Sequence, residues 1–394
     1  MADKAIRCEL DLLGIEHRPI EQCIGRILRQ DVYAERDNPP FDRVCMDGIA
    51  VNSLAFRQGV RRFAVEASQP AGSPRLRLGD PRNAIEVMTG AVVPEGADCI
   101  IPLEEFDLDT AGASLKPDAT GGPNRNIQRK GEDSRPGVAM LRSGASLGAP
   151  EIAVVASAGL ATVAVSREPR FMVISTGDEL VEPGEPIADH QVRRSNAYAV
   201  LGALRLRGFQ SVANDHILDN ESMLSRRLSL HLEATDILIL SGGVSKGKFD
   251  LVPKVLKEIG VREIFDHVAQ RPGAPMWFGV APRKQLVFGL PGNPVATLIC
   301  LIRYVVPTAL SAMGCVERPL EQIALAAQVT RGRPMAYYLP VSLTLDSCGR
   351  PGAQPQPTNG PGDFLGLAGT DGFIELPPRP EGFPAGFVAP LRRW

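Results

Sequence analysis

The sequence predicts a multi-domain α/β protein: a doubly wound α/β domain accompanied by a linking domain, an inserted β-rich domain and a carboxyl-terminal β domain. Three observations carry this. At 394 residues the chain exceeds what one ordinary core accommodates. Between Arg170 and about Met313, the apolar runs FMVIS, DILIL and QLVFGL alternate with helical patterns, the rhythm of a parallel sheet covered on both faces. On either side, short strand-like runs alternate with Gly/Pro turns.

Taken in order, residues from about Pro19 to Leu28 place Ile20, Cys23, Ile24, Ile27 and Leu28 at helical spacing and predict an amphipathic helix. Pro39 and Pro40 forbid its continuation. From Met46 to about Arg142 the runs IAVN, RRFAVEA, AIEVM and DCIIPLEEF predict the inserted β domain, with residues 107–125 as an exposed loop or hairpin. Helical patterns follow at Ala197 to Arg207, Leu251 to Ile259 and Val295 to Tyr304. After Val316, IALAAQVT in part, YYLPVSLTL, GFIELP and GFVAPL predict the small β tail. The expected boundaries are 1–45 with 143–168 for the linking domain, 46–142, 169–318 and 319–394.

Charge and cysteines exclude several classes. With 43 Lys+Arg against 45 Asp+Glu the net charge is -2, so no general attraction to nucleic acid or acidic membrane is expected and any anion site must be local. The seven cysteines are scattered without C-x-x-C or zinc-ligand spacing and read as reduced, structural thiols. MADKAIRCELDLLG lacks the apolar core of a secretory signal, so a cytoplasmic chain is expected. The longest apolar stretch, Val295 to Ile302, is closed by Arg303 and Pro307 and reads as a buried helix, short of the roughly 20 residues that span a bilayer.

Three strand-to-loop junctions share one design: FMVIS into TGDEL, DILIL into SGGVSKGKFD, VFGL into PGNPVA. In a parallel sheet such junctions lie at the carboxyl ends of strands and can converge on one ligand. Gly177, Gly242, Gly243, Gly289 and Gly292 leave backbone amides open to the close approach of a ligand such as a phosphate. Asp178, Glu179 and Asp250 stand beside them, a pairing suited to phosphate with Mg²⁺. Each Gly-Asp or Gly-Gly pair alone is equally a tight turn; the three together favour a site. Pro291 and Pro294 around Gly292-Asn293 fix a rigid turn before a helix, which simple helix initiation also explains. A second cluster comprises PPFDRVCMDGIAV with Asp42 and Asp47, Thr89 before a glycine, and NIQRKGED with Arg129, Lys130, Glu132 and Asp133. The last is equally read as a solvated charge run.

These segments, together with MTGAVVPEGAD and QVRRSNAYAV, resemble in order the molybdopterin molybdenumtransferase family and the matching domain of gephyrin-type proteins, from about Pro19 to the carboxyl terminus. The resemblance implies an elongated homodimer with a molybdopterin-binding α/β domain and an active cleft shared between the α/β domain of one subunit and the inserted domain of the other. It implies adenylylated molybdopterin and molybdate as substrates, release of AMP, and assistance by Mg²⁺. The adenylyltransferase and apo-molybdoenzymes are expected partners, nucleic acid and membrane are not.

By that resemblance Asp47, Thr89, Asp133 and Asp219 are candidate catalytic residues and Glu179 and Asp250 candidate metal ligands, which Asp178 joins from its place beside Gly177. Ser175, Thr176, Gly177, Ser241, Gly242, Gly243, Ser245, Arg271, Pro291, Gly292, Asn293 and Pro294 are the candidate cofactor-binding set. The chain departs from the family in K-x-A-x-K-P-G-K-P, where lysines become His267, Arg271 and Ala274, while Lys246 and Lys248 add charge nearby. In the tail a family arginine falls on Pro340 and a serine on Pro361. Losing lysines weakens an oxyanion subsite unless other donors replace them. Two classes therefore stand at this point: a competent transferase with rearranged oxyanion ligands, or a pterin-binding paralogue acting as carrier or scaffold. An adenylyltransferase acting on molybdopterin itself would lack the inserted domain and the tail.

Overall fold

The computed structural model describes residues 1–243, 251–330, 332–356, 360 and 362–394. They divide into two compact units, one comprising Met1–Gln30, Ser143–Gly148 and Val163–Trp394, the other Asp31–Arg142 and Ala149–Thr162.

The first unit contains a six-stranded sheet in the order Val212–Ile217, Phe171–Thr176, Ile237–Ser241, Leu286–Leu290, Trp277–Val280, Arg262–Phe265. The first four strands are parallel, and the last two run antiparallel at one edge, so the sheet is mixed rather than wholly parallel. Alternation along each strand builds two cores. Val173, Ile237 and Ile239 pack with Val200, Leu204 and Ile299 on one face. Ile174, Leu238 and Leu240 pack with Leu224, Leu228 and Val255 on the other. That double coverage explains the nearly uninterrupted apolar runs, each fully buried Val, Leu or Ile contributing about 1.5–3 kcal/mol. At the amino-terminal end of the central strands, Arg167 forks onto Asp236 at 2.6 and 2.9 Å.

The predicted helices form at Ser195–Arg205, Val252–Glu258 and Pro294–Cys300. The last does not stop at Arg303. It continues through a π-turn, Leu301–Val305, into Val306–Ala312. The wider i→i+5 turn drops the hydrogen bond that Pro307 cannot make, so the proline is accommodated. The resulting 19-residue helix is long and apolar enough to cross a membrane, and 72% of it is buried within the protein.

A second six-stranded sheet is built from Ala336–Leu345, Gly372–Leu376, Val388–Arg393, Glu321–Ala324 and Pro351–Pro355, with Gln270–Arg271 at its edge. Leu339 and Val341 enter its own core, whereas Tyr338 and Phe373 join the α/β cluster. The helix expected over Pro19 to Leu28 is absent: a strand ends at Pro19, a single 3₁₀ turn covers Ile20–Gln22, and Leu28 and Ile27 form bridges to Val165 and Ser146. Gly25, at φ +76°, breaks the helical path that the apolar spacing suggested.

The second unit is β-rich. A four-stranded sheet runs Val65–Gln69, Ala84–Val87, Gly48–Val51, Cys99–Pro102, and a three-stranded one runs Arg62–Phe63, Gly112–Leu115, Phe106–Asp109. Residues 107–125 supply the hairpin between Phe106–Asp109 and Gly112–Leu115, then turns. Ile49, Val51, Phe63 and Ile101 form one core, Val44, Ala50, Ile85 and Ile100 the other.

Candidate active site

The ends of Phe171–Thr176, Ile237–Ser241 and Leu286–Leu290 lie side by side, Ser175 in register with Ser241 and Ser241 with Leu290. At this carboxyl edge Ser175, Thr176, Glu179, Ser241, Gly242, Gly292 and Pro294 line a cleft of about 390 Å³. The three junctions thus converge. Gly177, at φ +139°, is where the strand turns; a Cβ there would stand 2.4 Å from Glu179 Oε2, so only glycine leaves room for that carboxylate to fold back over the turn. Gly242 and Gly243 also have positive φ. Gly289, in contrast, is an ordinary strand residue paired with Leu240 and Trp277, and its backbone is not open to a ligand. The run VFGL simply continues as strand to Leu290.

Asp178 and Asp219 meet where two loops leave the sheet: the Asp219 amide donates to Asp178 Oδ1 at 3.0 Å. Among the described residues Glu179 has no hydrogen-bond or ion-pair partner for its carboxylate, and no group of three or more His, Cys, Asp or Glu is suited to a metal. Asp178 and Glu179, adjacent in sequence and both exposed, are hard oxygen donors of the kind Mg²⁺ takes, an ion commonly held by one or two carboxylates plus substrate phosphates. Pro291 and Asn293 shape the helix start: Thr297 Oγ1 donates to the Pro291 carbonyl at 2.5 Å, and Asn293 Oδ1 accepts from the Ala296 amide at 3.3 Å as N-cap before Pro294. Ser245, Lys246, Lys248 and Asp250 lie outside the described residues.

The motif QVRRSNAYAV, to whose residues the sequence assigns no roles, supplies much of the cleft wall. Arg194 is buried, its guanidinium paired with Glu182 and donating to Asn214 Oδ1 at 3.2 Å and the Asp215 carbonyl at 3.1 Å. Tyr198 also donates to Glu182, whose carboxyl is held below its usual range first by that phenol and then, against the opposing effect of burial, by Arg194. Six side-chain polar atoms among the described residues are buried without a hydrogen-bond partner, and four of them, on Ser175, Thr176, Arg194 and Asn196, belong to this cleft. An unmet buried polar group costs about 1–3 kcal/mol. Their concentration in one place makes this cleft the candidate site for a polar ligand.

In the second unit, Asp47 precedes Gly48, where a Cβ would stand 2.0 Å from the Ile101 carbonyl oxygen. Glycine is therefore needed for the strand pairing that positions the aspartate. Thr89 donates to Asp47 Oδ1 through both its amide and its hydroxyl. The segment NIQRKGED is not a free charge run. Asp42 accepts from the Lys130 amide at 2.8 Å and pairs with Arg129 at 2.9 Å, and Lys130 lies 3.4 Å from Asp37. Glu132 accepts from the Arg129 amide at 2.9 Å, and Asp133 accepts from Gln128 Nε2 at 3.0 Å.

Arg271 does not line the strand-end cleft. With Ala274, Asn293, Arg333, Tyr337 and Pro340 it borders a second cavity of about 630 Å³ in the first unit. Three of the departures from the family pattern, Arg271, Ala274 and Pro340, thus share one cavity, to which Arg333 adds a second guanidinium 5.8 Å from the Tyr337 ring centre. His267 is exposed and Pro361 lies outside the described residues. Behind the cavity Gln270 is buried, donating to the Pro272 and Gly273 carbonyls at 3.1 and 3.3 Å and accepting from Tyr304.

Three family models match successive parts of the chain: "MoeA N-terminal region (domain I and II)" over residues 2–159, "Probable molybdopterin binding domain" over 172–311 and "MoeA C-terminal region (domain IV)" over 322–391. A molybdopterin molybdenumtransferase of Synechocystis sp. is 38% identical over 376 residues, covering 95% of this chain and 94% of that protein. This chain belongs to the molybdopterin molybdenumtransferase family. A relative of that name from Staphylococcus aureus is 30% identical over 379 residues, 94% of this chain and 89% of its own length. The solved structure of a molybdopterin biosynthesis moeA protein from Pyrococcus horikoshii is 29% identical, matches with a TM-score of 0.76 and covers 100% of this chain and 97% of that one. A second structure from that organism, 23% identical with a TM-score of 0.82, shows the same fold.

Proposed function

We propose that this chain inserts molybdate into adenylylated molybdopterin with release of AMP, a step of molybdenum cofactor biosynthesis. The observation that carries this is the full-length match to relatives bearing the transferase name, joined to a strand-end cleft whose buried polar atoms lack partners. The carrier or scaffold reading is not favoured by those relatives.

In this reading Ser175, Thr176, Gly177, Ser241, Gly242, Gly243, Ser245, Gly292 and the Pro291–Pro294 turn hold the pterin nucleotide. Asp178 and Glu179, with Asp250, would hold Mg²⁺, which supplies positive charge to phosphate oxygens as the anhydride breaks. Asp219 fixes Asp178 through its amide. Asp47, oriented by Thr89, and Asp133 orient water, metal or pterin. Arg271 and Arg333 offer the planar, permanently charged donors that an oxyanion needs where the family has lysines. The protein works as a cytoplasmic homodimer and passes its product to apo-molybdoenzymes.

The deciding experiment incubates purified protein with adenylylated molybdopterin, Mg²⁺ and molybdate, following AMP release and reconstitution of an apo-molybdoenzyme. Molybdate-dependent AMP release with reconstitution is expected. Pterin binding without either would overturn the proposal.

A further inference from the structure

Of the four unpartnered polar atoms in the strand-end cleft, one differs in kind. The hydroxyls of Ser175 and Thr176 can donate or accept, and Arg194 Nε can only donate, so all three suit a phosphate or carbonyl oxygen. Asn196 Oδ1 can only accept. Its direction is fixed by the other end of the amide: Nδ2 donates to Ser241 Oγ at 3.0 Å and to the Gly292 carbonyl at 2.8 Å. A carbonyl oxygen cannot donate, so the amide cannot be turned over, and both N–H groups are consumed in holding the side chain between two strand ends. The oxygen is left buried, rigid and without a partner against the cleft.

We propose that Asn196 is a specificity-determining residue of this cleft, its Oδ1 accepting a hydrogen bond from a neutral N–H or O–H of the pterin nucleotide. Phosphate oxygens are excluded from that position, since two acceptors there would repel. The phosphates fall instead to Ser175, Thr176 and Arg194, and the cleft thereby distinguishes the donor-bearing ring or sugar end of its ligand from the anionic middle. This inference rests on the substrate proposed above. It adds a residue that reads the ligand's orientation.

The test is calorimetric titration of the full-length protein with adenylylated molybdopterin, and separately with AMP and with molybdopterin, for the wild type and for Asn196→Leu and Asn196→Asp. Leucine removes both the acceptor and the donors, whereas aspartate keeps acceptor oxygens and loses the donors to Ser241 and Gly292. A role as acceptor predicts roughly ten-fold weaker binding of adenylylated molybdopterin for Asn196→Leu and clear recovery in Asn196→Asp. Weakening of AMP alone would assign the donor to the nucleotide, weakening of molybdopterin alone to the pterin. Equal weakening by both variants, the mark of a mere strut, overturns the inference, as does wild-type affinity in both. Thermal denaturation of each variant separates loss of binding from loss of fold. If the wild type itself binds none of the three ligands, the proposed substrate is wrong rather than the role of Asn196.

Discussion

Thr89 holds Asp47 by one oxygen: its amide and its hydroxyl each donate to Asp47 Oδ1 at 2.6 Å. The hydroxyl first and the amide second keep the Asp47 carboxyl below its ordinary range. A depressed carboxylate pKa keeps the ionised form down to lower pH, and the contact is lost only as pH falls through the folded-state value. Thr89→Val retains shape and amide but removes the larger cause. The acid limb of kcat/KM for AMP release should therefore move up toward the usual carboxylate range, with thermal stability at neutral pH slightly lowered, because the contact that depresses the pKa also stabilises the folded state there. An unmoved limb would mean that ionised Asp47 is not used.

Replacing Glu179 by Gln preserves its volume and removes a charge that has no partner among the described residues. The fold should survive with an unaltered melting temperature. Molybdate-dependent AMP release should drop by about 100-fold or more, the scale on which lost electrostatic stabilisation acts. Asp47→Ala is expected to abolish cofactor maturation in the same assay. Unchanged rates would remove either residue from the site.

Gly177→Ala and Gly184→Ala form a matched pair. A Cβ on Gly184, at φ +96°, would meet nothing within 4 Å, so alanine there costs about 1 kcal/mol from backbone strain alone. Gly177→Ala adds a collision with the Glu179 carboxylate. It should lose activity because the exposed carboxylate is pushed off the turn, while costing about the same 1 kcal/mol of stability as Gly184→Ala, read by denaturant titration beside the AMP-release assay.

Cys300 is fully buried, and burial pushes its thiol up to about 12, against a smaller opposing effect of the Gln270 side chain. A thiol raised on folding contributes stability that is complete below the unfolded value, near 8.5, and is lost as pH rises toward 12. Wild-type protein should therefore lose stability through that window more steeply than Cys300→Ala. In thiol labelling of the native protein, exposed Cys8, Cys45 and Cys348 should react readily while Cys23, Cys99 and Cys300 stay protected.

Arg271→Ala should raise the molybdate concentration needed for half-maximal AMP release by about ten-fold, the loss of one charge-assisted contact. Affinity for adenylylated molybdopterin should not change, because Arg271 borders the second cavity and not the strand-end cleft. Parallel weakening of both would merge the two cavities into one site.

Much of this was legible in the sequence because the strands of the α/β layer are buried on both faces and read as unbroken apolar runs ending at glycines. FMVIS, DILIL and QLVFGL sit where strands were expected, and their junctions share one cleft. Other features resisted reading for physical reasons. The apolar spacing of Pro19 to Leu28 fits a helix as well as an irregular packed segment, and only Gly25 told them apart. Gln270–Arg271 is a two-residue strand paired with Ala336 and Tyr337, far along the chain, too short for any periodicity. Asn196 has no local signal, since its meaning lies in two partners 45 and 96 residues away.

The edge strand Gln270–Arg271 has a bearing on where this chain can be cut. The carboxyl-terminal sheet takes that strand from a loop of the α/β layer, and Tyr338 and Phe373 lie in the same cluster as Tyr304 and Met313. The family models end one region at residue 311 and begin the next at 322, but the packed interior is continuous across that gap. The residues from 322 onward are therefore not a detachable module. A truncation of this chain that parts the two would leave one half without its border strand and the other with an uncovered aromatic face.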